Sequence, residues 1–217
     1  MGVEALSKIG VEQVLARLGA PYSVVPADNH IVDRYSGIVP DILLDVWRSA
    51  GFSGYSDGAF WLCNPDEWQP AVDDWLYGLE LPFDDEWVPF TRTALGSVSL
   101  WGRRTGRSLS FYPHNGFVIP NDRSEMMDTE YGKCAQILVG ANPDPAKTDF
   151  DGDDGKRMFR RLCKRLGKVD SSTMYGCVPA VGLGGSFTPK GMQIVKAVDH
   201  VRFLSTVTPR QVMNWKF

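Results

Sequence analysis

Hydrophobic positions recur with two different periods along this chain, and the change of period organises it. In "VEQVLARL", residues 11–18, and in "VPDILLDVWRSAGF", residues 39–52, apolar side chains return every three or four positions. Ile42, Leu43, Val46, Trp47 and Ala50 make one stripe, with Asp41, Asp45, Arg48 and Ser49 largely off it. The pattern predicts two helices, stopped at Gly19 and Gly51, with loop-like sequence through "PADNH" between them. A third helix should begin after Asn64, a good N-cap, with Pro65 in its first turn and Glu67 completing a capping box. It runs to about Tyr77 and aligns Trp68, Val72, Trp75 and Leu76 on one face. Trp61, Trp68 and Trp75 are evenly spaced, but Trp61 precedes the proline and belongs to another element. The indoles therefore read as core anchors and not as a heptad seam.

After Glu86 the period falls to two. "WVPFTRTAL", "SVSLWGR", "SLSFYP" and "NGFVIP" predict short strands joined by tight turns at Gly96, Gly102–Gly106 and His114–Gly116, an antiparallel meander. Helical character returns over 124–139, weakened by Gly132. A polar connector, "GANPDPAKTDFDGDDG", follows, then a helix in "KRMFRRLCKRLG" with Phe159, Leu162, Cys163 and Leu166 as its apolar stripe. The remainder reads as a glycine-rich loop over 175–189, a helix near 189–198 and an apolar piece over 200–207. The expected architecture is α+β: helices packed on an antiparallel β-meander, with a small C-terminal α/β lobe. The connector suggests units at 1–140 and 141–217, or one continuous globule.

Charge adds an asymmetry to this plan. The net charge of −3 over 217 residues conceals an acidic front and a basic back. Residues 1–120 carry 15 acids and 8 bases, and residues 121–217 carry 11 acids and 15 bases. The front therefore favours a basic partner. The opening residues hold no continuous apolar run, which argues against a secretory leader or membrane anchor and for a cytoplasmic home. Four cysteines without a C-x-x-C pair read as buried free thiols. Three scattered histidines predict no metal site, and nothing in the sequence calls for a cofactor.

Motifs that invite a chemical reading fail on detail. "DFDGDDG", from Asp149, resembles a calcium loop, but its sixth position is Asp154 and its twelfth Arg160, where an EF-hand needs glycine and glutamate. Asp153 or Asp154 is better read as a cap for the following helix. "GLGGS", Gly182–Ser186, lacks the lysine of a P-loop and the third glycine of a dinucleotide fingerprint. It leaves a phosphate- or small-ligand-binding module as one alternative. The cationic run 156–168, with Lys156, Arg157, Arg160, Arg161, Lys164, Arg165 and Lys168, leaves a nucleic-acid-binding regulator as another. No nucleophile–base pair or carboxylate pair stands out, so the chain reads as a binder rather than an enzyme.

Two strings carry a more specific signal. "YSGIVPDILLDVWRSAGFSGYSDGAFWLCNPDEW" with "TALGSVSLWG" resembles the GAD-like domain family of bacteria. "MYGCVPAVGLGGS" and "IVKAVDHVRFL" resemble the C-terminal domain that accompanies it in immunity proteins of type VI secretion DNase toxins. The resemblance runs from about Tyr35 to Val207. It implies an antitoxin that binds a cognate toxin nuclease and blocks it stoichiometrically, without turnover, membrane or cofactor. A nuclease presents a cationic groove, and an acidic surface complements it. The candidate contact residues are Asp57, Asp66, Glu67, Asp73, Asp74, Asp84, Asp85 and Glu86, with Tyr77 and Trp87 as aromatic anchors.

Overall fold

The clearest stretches of both periods produce the elements they announce. The computed structural model describes residues 3–213. Helix α1 (Val3–Leu18) closes at Gly19, and α3 (Asp41–Ala50) at Gly51, whose positive φ only glycine adopts freely. Between them, where the sequence predicts a loop, lies a short helix, α2 (Asn29–Arg34). The Asp28 carboxylate begins it by accepting the His30 N–H at 2.8 Å. A two-strand hairpin follows, β1 (Gly54–Tyr55) and β2 (Phe60–Leu62), too short to register as a period. Helix α4 (Pro65–Leu76) starts where Asn64 accepts the Asp66 N–H.

The meander is β3 (Trp87–Thr93), β4 (Val98–Gly102), β5 (Gly106–Tyr112) and β6 (Phe117–Pro120), antiparallel throughout. The helix expected over 124–139 is split. Thr129 caps α5 (Glu130–Gly140) through the Gly132 N–H, and Ser124–Met126 forms only a 3-10 turn. The connector contains one turn of helix, α6 (Pro145–Thr148).

Helix α7 (Phe159–Leu166) is shorter than its cationic run, because a buried carboxylate sets its start. Asp149 accepts the N–H groups of Met158 at 3.2 Å and Phe159 at 2.9 Å. This role was expected of Asp153 or Asp154. Asp153 instead accepts the Phe187 N–H, and Asp154 pairs with Arg161. Asp149→Ala should lower stability by about 1–2 kcal/mol, the usual cost of a lost N-terminal cap, read as a shift in urea midpoint at unchanged slope.

The largest departure lies in the last third. Strand β7 (Thr173–Cys177) occupies sequence read as loop. Residues 189–198 were expected to be helical but form a 3-10 turn, Pro189–Gly191, and then β8 (Met192–Lys196). Pairing with β7 decides this: Cys177 faces Met192, Tyr175 faces Ile194 and Thr173 faces Lys196. A partner strand outweighs the weak helical pattern of "KGMQIVKAV". The helix begins one step later as α8 (Ala197–Val207), and β9 (Gln211–Val212) returns to pair in parallel with β6.

The seven-stranded sheet therefore runs β1-β2-β3-β4-β5-β6-β9, beside the two-stranded β7-β8. The fold is α+β. One core cluster joins α1, α3 and α5 to Phe60, Leu62, Val88, Phe90 and Trp101. A second joins α4 and α8 to Leu100, Leu109, Phe111 and Val118. A third gathers Phe159, Leu162, Tyr175 and Met192 around Leu95. Trp61, Trp68 and Trp75 are buried, as their spacing within apolar faces predicted. The four cysteines are free thiols, with Cys63 and Cys177 buried.

Candidate functional site

Helix α4, the segment after α2 and the start of β3 frame an open cleft of about 690 Å³. The amphipathic pattern of α4 turns Trp68, Ala71, Val72 and Trp75 inward, so Asp66, Gln69, Asp73 and Tyr77 fall along the cleft side. The opposite wall is Asp85, Glu86, Trp87 and Val88, and Arg34, Tyr35 and Ile38 close one end. Six of the ten residues singled out from the sequence thus line one surface: Asp66, Asp73, Tyr77, Asp85, Glu86 and Trp87.

Their roles divide sharply. Asp66 is ion-paired with Arg34 and accepts the Tyr35 hydroxyl at 2.9 Å, which pins α2 to α4. Burial pushes the Tyr35 phenol up, with the Arg34 charge opposing the shift. Asp85 is structural, its side chain only 1% exposed. It accepts the N–H of Arg104 and both the N–H and hydroxyl of Thr105, the latter at 2.6 Å, and so organises the β4–β5 turn. Trp87, expected to be an exposed anchor, packs partly buried against Phe83 with ring centres 5.8 Å apart. Glu86 meets Arg103 in an exposed pair at 3.2 Å, a weak tie in water. The Asp73 carboxylate accepts from the Gln69 amide, and Tyr77 is 81% exposed. Asp73, Tyr77 and Glu86 are therefore the cleft groups most accessible to a partner.

The other four residues lie elsewhere. Asp57 pairs with Lys168 at 2.7 Å, and Asp74 with Arg202 of α8 at 2.7 Å. Asp84 is exposed and offers its carbonyl to Arg104. Glu67 lines a separate cavity of about 150 Å³ beside Arg92; burial raises its pKa, and Arg92 opposes the rise. Arg34, Tyr35, Ile38 and Gln69 were missed as cleft residues. The signal that would have found the first three is the Asp28 cap of α2.

The two alternative chemistries have several of their groups engaged in internal bonds. In the cationic run, Arg161 pairs with Asp154, Arg157 with Asp151 and Lys168 with Asp57. Arg165 donates to the carbonyls of Pro189 and Met192. In the Gly182–Ser186 loop, the N–H groups of Leu183 and Gly185 go to the Ala180 carbonyl and that of Gly184 to Val181. Those donors are not turned to a phosphate. Among the described residues, no group of histidine, cysteine and carboxylate side chains converges as metal ligands, and no helix is long and apolar enough to cross a membrane.

Comparison with known proteins agrees with the strings that first suggested a family. The family model "GAD-like domain" matches residues 10–114, and "T6SS immunity protein Tdi1, C-terminal" matches residues 144–208. The chain thus joins a GAD-like domain to a Tdi1-type immunity C-terminal domain. An immunity role in general follows for it. No curated protein sequence matches the chain. Among solved structures, the crystal structure of Atu4351 from Agrobacterium tumefaciens is similar, with a TM-score of 0.80 and 23% identity over 93% of this chain and 90% of that one. At that identity the likeness speaks to the fold. The cleft belongs to the GAD-like part of this immunity protein, framed wholly by residues between Arg34 and Val88.

Proposed function

We propose that this immunity protein acts in the cytoplasm by binding a cognate type VI secretion DNase and neutralising it stoichiometrically, in bacterial competition. The contact surface in this reading is the α4–β3 cleft. Its lining holds four carboxylates against one arginine and carries an exposed tyrosine at its rim, and this is the observation that supports the reading. A DNase must hold phosphates, so its active face is cationic, and an acidic cleft attracts that face from a distance and selects it. Tyr77 supplies rigid amphipathic area for an anchor. The division into units at 1–140 and 141–217 is part of the proposal, with the recognition surface in the first unit.

The test separates contact residues from structural ones. Asp73→Lys, Tyr77→Ala and Glu86→Lys combined leave Asp66 and Asp85 intact, so the fold should persist by circular dichroism. Affinity for the toxin by calorimetry should fall about 100-fold or more, and association should become less salt-dependent. Unchanged affinity would move the contact to another face.

A further inference from the structure

Several hydroxyl side chains of the meander turn away from open water. Thr91, Ser99 and Ser110 stand side by side on β3, β4 and β5, in register across the three strands. The end of α5 and the connector cover this row and leave a cavity of about 160 Å³. Arg92, Arg107 and Lys147 also line it, and among the described residues no aspartate or glutamate does. Ser97 joins the lining with a side chain that is buried and an Oγ without a hydrogen-bond partner.

Arg107 is the anomaly. The residue is partly buried, its Nε is buried without a partner, and none of its side-chain nitrogens meets a carboxylate. Arg92, more deeply buried at 2% exposure, lines the same cavity but is held by two backbone carbonyls and two indoles, with only its Nη1 left over. A buried cation without an acceptor is costly. A second cation, Arg123, stands near Arg107 and adds to the positive field. The chain also makes room for the arginine stem: a Cβ on Gly140 would collide with Arg107 Cδ and the Phe90 ring.

We propose that this cavity binds a small tetrahedral oxyanion of the phosphate class, either free or as the end of a phosphomonoester. Arg107 supplies the charge at its floor, Lys147 closes the outer side, and the hydroxyls of Thr91, Ser97, Ser99 and Ser110 donate to its oxygens. Such donors become strong when the acceptor is ionised. The site lies apart from the acidic cleft, shares no lining residue with it, and takes a ligand of opposite charge.

Thermal unfolding of the full chain, with inorganic phosphate titrated against chloride at matched ionic strength, tests the assignment. Saturable stabilisation of roughly 5 °C is expected at phosphate about 100-fold above its Kd. A parallel arm with glycerol phosphate distinguishes the sources: tighter binding of the ester identifies a phosphorylated metabolite, and tighter binding of the free ion identifies phosphate itself. Arg107→Met should abolish the response, and Lys147→Ala, an exposed change that leaves folding intact, should weaken it about tenfold. If neither anion gives a saturable shift, or if the shift survives both substitutions, the site is not there.

Discussion

Arg92→Ala should destabilise the protein by about 3–5 kcal/mol, the range for breaking a buried charged contact and opening a cavity at once. The residue is 2% exposed, with its guanidinium carbon 5.0 Å from the Trp61 ring centre and 5.3 Å from that of Trp68. Its Nη2 donates to the carbonyls of Asp170 at 3.1 Å and Ser171 at 2.7 Å. One side chain thus joins β2, β3 and α4 to the segment leading into β7. Burial lowers its pKa to about 10, which still leaves it charged at neutral pH. Cation–π contacts strengthen when water is excluded, and charged donors to carbonyls are among the stronger hydrogen bonds. Alanine removes both and leaves a void between two indoles. Arg92→Met refills most of that void and should cost about half as much, since only the polar contacts are lost. Urea denaturation followed by tryptophan fluorescence measures both variants. A loss below about 1 kcal/mol for alanine would mean that the desolvation cost of the charge cancels its contacts.

Acid should weaken the fold well before its exposed carboxylates titrate, because two half-buried histidines resist protonation. His114, in the β5–β6 turn, stacks on Phe187 with ring centres 4.5 Å apart and lies 5.2 Å from Phe150. Its Nδ1 has no partner, and burial lowers its pKa from 6.5 to about 4. His200 of α8, with an unpartnered Nε2, is lowered for the same reason. The unfolded chain takes up these protons near pH 6.5 and the folded chain does not, so stability is complete above that pH and declines as pH falls toward 4. From the His114 shift alone the loss reaches about 2 kcal/mol at pH 5 and about 3 kcal/mol at pH 4. His114→Phe keeps the aromatic stack and removes the titration. Subtracting its denaturation midpoints from those of the parent between pH 7.5 and 4.5 isolates the effect from the carboxylates. Parallel pH dependences in the two proteins would show that His114 is not held neutral.

Much of this molecule was legible where a single physical rule governs a stretch. The stripe of α3, the Asn64 cap of α4 and the period of the meander each specify an element without help from distant residues. Tertiary partners decide the places where the sequence misled. Strand β8 exists because β7 lies beside it, and α7 starts where a carboxylate ten positions earlier reaches its first N–H groups. The acidic front was visible as composition, but composition does not reveal which carboxylates are already engaged. Asp85 and Asp73 look alike in the chain; one organises a turn from a buried position, and the other faces a cleft. Arg107 was missed because its isolation is a property of the cavity around it.

The proposed function requires an inhibitor that acts by occupying its target rather than by changing it. Titrating the purified protein into the proposed cognate nuclease, with DNA cleavage followed after each addition, tests this directly. The account predicts a linear fall in activity to a sharp end point at one inhibitor per nuclease, reversed when the complex is dissociated. Silencing of many nuclease molecules by each copy, or an inactivation that persists after separation, would contradict it.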